Sequence, residues 1–133
     1  MSHVLFVCLH NAGRSQMSQA LFERMVDGRH EARSAGTSPG DRVHSNVVAV
    51  MQEDGVDLSD RVPRLLDDDL AHWADVLVTM GCGDACPVIP GKRYIDWELQ
   101  DPKDLPVADV RSIRDDIESR VSALVEKLDA NGG

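Results

Sequence analysis

The chain is poor in aromatic residues, which make up 4% of its 133 residues with two Phe, two Trp and one Tyr. An aryl ligand would find little to stack on. No apolar run approaches the roughly 20 residues that a helix needs to cross a bilayer, so no membrane association is expected. Met1-Ser2-His3 leads into the first apolar run without the basic region and long apolar segment of a secretory signal. Basic residues are in deficit, with 14 Lys and Arg against 23 Asp and Glu and a net charge of -9. That balance excludes the broad basic surface by which nucleic acids are held. Three cysteines, an odd number, do not make a disulfide framework and suit a reducing compartment, so a cytoplasmic location is expected. There is no repeat and no low-complexity segment. A length of 133 residues with 42% hydrophobic content predicts a single domain over residues 1–133. The high charge, with no exposed apolar stripe evident, points to a monomer. An anionic substrate would meet a repulsive overall field, so local donors must hold it, which favours a small and deeply bound anion.

What is present is concentrated near the N-terminus. Val4-Leu5-Phe6-Val7 is an apolar run of strand length, and Met17, Ala20, Leu21 and Met25 recur at helical spacing between Gln16 and Val26. Between them lies Cys8-Leu9-His10-Asn11-Ala12-Gly13-Arg14-Ser15. The cysteine therefore sits at a strand-to-helix turn. The first amides of a helix are unpaired and its dipole is positive there, so Leu9 to Arg14 can cradle a tetrahedral oxyanion. Arg14 can close on that anion with two parallel hydrogen bonds. Helix N-termini and nearby cations also favour the nucleophilic thiolate over the thiol. Asn11 and Gly13 tolerate positive φ, which an inward-curling loop requires. Ser15 can donate its hydroxyl to the sulfur of Cys8.

Farther along, Glu31 to Ala35 reads as a second strand, leading into Ser34-Ala35-Gly36, and 37–43 as a loop marked by Pro39 and Gly40. His44 to Asp54 predicts a helix that Gly55 stops, as Gly28 can stop the first. Asp67, Asp68 and Asp69 precede a short helix over Leu70 to Ala74; carboxylates there cap a helix better than they hold a metal. Residues 75–80 and 93–97 read as the third and fourth strands. Val110, Ile113, Ile117, Val121, Leu124 and Leu128 mark a last helix from about Ala108 to Leu128, with a frayed tail from Asp129. Strands alternating with helices predict an α/β fold, a four-stranded parallel sheet flanked by helices on both faces.

A second thiol cluster, Gly81-Cys82-Gly83-Asp84-Ala85-Cys86-Pro87, follows the third strand. The glycines loosen the backbone around Cys82, and the carboxyl end of a parallel strand shares a rim with the Cys8 loop. Three readings remain open. Zinc or arsenite could be held by the pair, although zinc wants four ligands and no second pair is at suitable spacing. The cysteines could be structural, although a polar glycine-rich setting is unlike a core. Thiol–disulfide exchange suits thiols on such a rim.

The Cys8 loop resembles that of the low-molecular-weight protein tyrosine phosphatases and of the arsenate reductases that share their fold. Ser34-Ala35-Gly36 and Asp57-Leu58-Ser59 also match the family pattern, and Asp101-Pro102 stands where the family has its general acid. His10 departs from it, since glycine is common there. The segment from Val78 to Cys82, with Cys86-Pro87-Val88-Ile89-Pro90, is similar to the thioredoxin-coupled arsenate reductases. That resemblance covers most of the chain, although the family's loop between its two resolving cysteines is usually longer. It implies that Cys8 attacks arsenate, that Arg14 binds the oxyanion and that Asp101 protonates the departing hydroxide. It further implies that Cys82 releases arsenite by forming a disulfide with Cys8, and that Cys86 then passes the disulfide to Cys82-Cys86. Thioredoxin would reduce that pair; a low-molecular-weight thiol with a glutaredoxin-like protein is the alternative. The rival activity is tyrosine phosphatase chemistry through Cys8, Arg14 and Asp101, but Lys103 follows Pro102 where such phosphatases commonly have tyrosine. Some relatives bind potassium through an asparagine, a serine and two carboxylates; here the positions are Asn11, Ser34, Gln19 and Arg64. Neither a metal nor another cofactor is expected.

Overall fold

The computed structural model describes residues 1–81 and 90–130. Four strands, β1 (His3–Cys8), β2 (Glu31–Gly36), β3 (Val76–Met80) and β4 (Arg93–Asp96), form one parallel sheet in the order β2-β1-β3-β4. The four-stranded parallel arrangement expected from the sequence is the one observed. β1 is central and buried from Val4 to Cys8. Its side chains alternate between faces, as the pleat requires. Val4, Phe6 and Cys8 join a large core with residues of α1 (Arg14–Val26), α2 (Ser45–Glu53) and α4 (Val107–Ala130). Leu5 and Val7 face a smaller cluster with Leu70 and Ala74, at and beyond the short α3 (Asp68–Trp73). Helices cover both faces, unequally. Phe6 contacts Phe22 and Trp97 in the larger core, where truncating such a ring to Ala costs about 3–5 kcal/mol.

Several termini differ from the sequence reading for definable reasons. α1 begins at Arg14, two residues before its apolar periodicity, and it is Asp27, in the left-handed region at φ 47°, that caps its end before Gly28. α4 continues through Asp129 and Ala130 where fraying was expected. A distant contact holds it: the Ser2 amide donates to His30 Nδ1 (3.0 Å), so His30 Nε2 carries the proton and meets Asp129 Oδ1 at 3.0 Å. Residues 131–133 lie outside the described residues. The acidic run behaves as expected, with the Asp67 carboxylate accepting from the Leu70 amide at 2.8 Å. Among the described residues, no helix is long and apolar enough to cross a membrane.

Candidate active site

The strand order places the site. β1 is followed in sequence by β2 on one flank, and the chain later returns to β3 on the other. The crevice at the carboxyl ends of β1 and β3 is the switch point at which open α/β sheets bind ligands. Cys8 ends β1 there, in register with Gly36 and Met80.

The loop after Cys8 is fastened by its carbonyls. Amides of Thr37, Ser38, Gly40 and His44 donate to the carbonyl oxygens of Cys8 (3.2 Å), Leu9 (2.8 Å), His10 (2.9 Å) and Ala12 (2.9 Å). Residues 37–43, a plain loop in the sequence, and His44, the first residue of the helix expected there, are the wall against which the loop is built. With these carbonyls turned outward, the Asn11 amide turns toward the cysteine and donates to Cys8 Sγ at 3.2 Å. Asn11 has φ 51°, the positive value expected of it, and is fully buried. Its Oδ1 accepts from the Arg64 amide (3.0 Å) and Gln16 Nε2 (3.1 Å), and its Nδ2 donates to Ser15 Oγ at 2.7 Å. Because Ser15 Oγ already accepts from Asn11, its own proton is free for Cys8 Sγ, 2.9 Å away. Cys8 is 2% exposed, so both contacts act with little competition from water.

Gly13 corrects the sequence reading. Its φ is -149°, not positive. It is small for a steric reason: a Cβ would lie 2.7 Å from Pro102 Cγ. The Asp101-Pro102 turn therefore packs directly on the Cys8 loop, although far from it in sequence. Gly36 is constrained likewise, since a Cβ there would meet Leu9 O at 2.8 Å and Asn11 N at 2.9 Å.

Arg14 opens α1 and is 7% exposed. Its Nη1 donates to Leu99 O at 3.3 Å and its Nη2 lies 3.7 Å from Asp101 Oδ2. Gly81, just beyond β3 with φ 88°, borders the same guanidinium, and a Cβ on it would collide with Arg14 Nη1. The sequence reading gave Gly81 only a loosening role. Asp101 Oδ1 accepts from the Lys103 amide at 3.0 Å, which fixes the carboxylate at the mouth with its other oxygen toward Arg14. His44 was not foreseen. Burial lowers its proton affinity below that of an ordinary histidine against the pull of Asp101, and His10 and Lys103 lower it further.

The structure thus joins Cys8, Asn11, Arg14, Ser15 and Asp101, with Leu9, His10, Ala12 and Gly13 forming the loop between. Cys82 and Cys86 lie outside the described residues. Gln16 and His44 gave no signal in the sequence beyond a polar residue beside a helix start. Behind the loop, Asn11, Gln19, Ser34, Arg33, Arg61 and Arg64 line a pocket of about 160 Å³. Ser34 Oγ donates to Gln19 Oε1 at 2.6 Å, and the pocket has three arginines and no carboxylate. These residues do not fit a potassium ion. Among the described residues, no group of three or more His, Cys, Asp or Glu is placed to hold a metal.

A buried sulfur with two hydrogen-bond donors, a helix N-terminus and a nearly buried guanidinium lie together here, an arrangement chemically suited to a nucleophilic thiol and an oxyanion. The chain belongs to the low molecular weight phosphotyrosine protein phosphatase family, which it matches over residues 3–132. It is 44% identical to a Halobacterium salinarum protein provisionally named an arsenate reductase, over 92% of this chain and 90% of that one. It is 30% identical to the glutaredoxin arsenate reductase of Synechocystis, over 96% of this chain and 99% of the relative. The thioredoxin-dependent arsenate reductase of Corynebacterium glutamicum superposes with a TM-score of 0.84 at 39% identity. The match covers 98% of this chain, which spans 63% of that longer one.

Proposed function

We propose that this protein reduces arsenate to arsenite in the cytoplasm, with Cys8 as the nucleophile. The observation that carries the proposal is the set of contacts on Cys8 Sγ, from the Asn11 amide at 3.2 Å and the Ser15 hydroxyl at 2.9 Å, which orient the sulfur at the mouth of the loop and can donate to it when it leaves. The Cys8 thiolate attacks arsenic, the loop amides and Arg14 take the charge on the oxygens, and Asp101 gives a proton to the departing hydroxide, which leaves as water. Cys82 then attacks Cys8 Sγ. The new S–S bond forms as the S–As bond breaks, and the bonding pair stays on arsenic, which leaves as arsenite. Cys86 next attacks Cys82, frees Cys8, and leaves a Cys82-Cys86 disulfide for an external dithiol. The names of the relatives support both thioredoxin and glutaredoxin as that partner; two further cysteines in the chain favour thioredoxin.

Phosphotyrosine is the poorer substrate for this site. Phe6, Phe22 and Trp97 are in the core, and Trp73 stacks on His3 at the opposite end of β1 from Cys8. Tyr94 packs in the cluster on the α3 face. No Phe, Trp or Tyr among the described residues walls the mouth. The test is NADPH consumption on adding arsenate with thioredoxin and thioredoxin reductase. Turnover is expected in the wild type and should be abolished in Cys8→Ser, Cys82→Ser, Cys86→Ser and Arg14→Ala. A clear preference for phosphotyrosine peptides over arsenate would overturn the proposal.

A further inference from the structure

α2 lies between the two halves of the site and touches both. Its N-cap residue, His44, donates its amide to Ala12 O, and the His44 ring lies 3.5 Å from where a Gly13 Cβ would be. Two residues on, Asn46 Nδ2 donates to Pro102 O at 2.8 Å and to Leu105 O at 3.1 Å. Asn46 Oδ1 accepts the amide of Val47 at 2.9 Å, so the orientation of the carboxamide is fixed by all three bonds. The turn it holds also closes on itself, through the Leu105 amide to Pro102 O and the Lys103 amide to Asp101 Oδ1. Within that turn Asp104 has φ 61°, a left-handed conformation that Asp adopts more readily than most non-glycine residues. α2 is in turn tied to α4 by Arg111, whose Nη2 meets Glu53 Oε2 at 2.7 Å, and by Arg114 Nη1 on Val50 O at 3.2 Å.

The structure assigns Asn46 as a positioning residue that holds the Asp101–Pro102 turn against the Cys8 loop, a role that rests on Asp101 being the proton donor of the proposed reaction. Satisfying a first-turn amide alone would not need the carboxamide nitrogen. Oδ1 accepts from the Val47 amide, whereas the hydrogen bonds of Nδ2 go to the carbonyls of the turn. With Nδ2 gone, Pro102 O and Leu105 O lose their hydrogen bonds to α2. Among the described residues the turn then keeps its internal bonds, the packing of Pro102 on Gly13 and the Arg14–Asp101 approach at 3.7 Å, which direct the carboxylate less tightly. Displacement of a catalytic group by about 1 Å can cost on the order of a hundredfold in rate.

The experiment compares Asn46→Asp and Asn46→Ala with the wild type, alone and in an Asp101→Ala background. The readouts are arsenate turnover, inhibition by phosphate, and thermal unfolding. Asn46→Asp keeps the acceptor for Val47 and places a carboxylate in the first turn, which a helix favours, but it sets an oxygen against Pro102 O and Leu105 O. Its melting temperature should fall by a few degrees while it remains folded at the assay temperature. Its kcat for arsenate should fall about ten- to a hundredfold, as should that of Asn46→Ala, while phosphate inhibits all of these proteins alike. In the Asp101→Ala background the same changes should add less than about twofold, because they act through the group already removed. Normal turnover in Asn46→Asp, or losses that multiply fully with that of Asp101→Ala, would overturn the assignment. An Asp101→Ala protein that turns over arsenate normally would instead overturn the proton-donor reading beneath it.

Discussion

Gly81→Ala separates the two things a glycine can do. At φ 88° an alanine pays a backbone penalty of about 1–2 kcal/mol, and its methyl group would collide with Arg14 Nη1. The guanidinium is the far end of a flexible side chain, so it moves aside and the protein still folds. The expected melting temperature is lower by about 4–8 °C. Function should suffer far more. Loss of a charged hydrogen bond to the bound anion costs about 1.5–3 kcal/mol, which is roughly a 10- to 150-fold weakening of phosphate binding. Turnover of arsenate should fall on the order of a hundredfold, as expected when a guanidinium clamp moves by about 1 Å. Gly55 provides the control: it has φ 77° and nothing within 4 Å of a Cβ, so Gly55→Ala carries the backbone penalty alone. Calorimetric titration with phosphate, which does not depend on Cys82, and the coupled arsenate assay are run on both variants. Equal melting shifts with function lost only at Gly81 are expected. A Gly81→Ala protein that binds phosphate and turns over like Gly55→Ala would refute the account of Arg14.

Ser15→Ala removes the donor to Cys8 Sγ and leaves Asn11 Nδ2 without its buried acceptor, so a stability loss of about 1–3 kcal/mol is expected. In a background carrying Cys82→Ser and Cys86→Ser, alkylation of Cys8 by iodoacetamide should slow about tenfold or more; an unchanged rate would show that the hydroxyl does not serve the sulfur. His44 gives a pH effect of definite sign. Its folded-state pKa lies below the unfolded value near 6.5, so the unfolded chain binds the extra proton, and stability present above that pH is lost as pH falls through the folded value. Denaturant midpoints should therefore drop on acidification from neutrality before the carboxylates titrate, and His44→Gln should flatten that decline. An equal slope in the variant would assign the effect to other groups.

Whatever depended on local pattern could be read from the sequence. The apolar run of β1, the Cys-x5-Arg-Ser spacing, the left-handed Asn11 and the Asp67 cap each rest on residues within one turn of each other, and each is found. Where a distant partner decides, local reasoning failed. Gly13 is small because of Pro102, not because of its own φ, and α4 runs past Leu128 because Asp129 meets His30. Residues 37–43 carried turn-forming signals only, since the bonds that matter are made by their amides and not by their side chains. Asp101 was placed by resemblance to a family; no periodicity or spacing near it announces that its turn packs on a loop at the other end of the chain.

The proposed function requires a chain of net charge -9 to hold an anion. The repulsion is a long-range field and is screened within about 10 Å at moderate salt, whereas the attraction is local and buried. Among the described residues, the partners of Arg14, which is 7% exposed, are Leu99 O at 3.3 Å and a carboxylate oxygen of Asp101 at 3.7 Å, the latter beyond direct hydrogen-bond range. In the proposed reaction an oxyanion on the loop would offer the guanidinium closer and charge-assisted acceptors, and would meet the amides at the start of α1, which have no intrahelical acceptor. Those contacts are made by the oxygens of the anion, so they favour a compact tetrahedral group and give no advantage to an aryl ring attached to it.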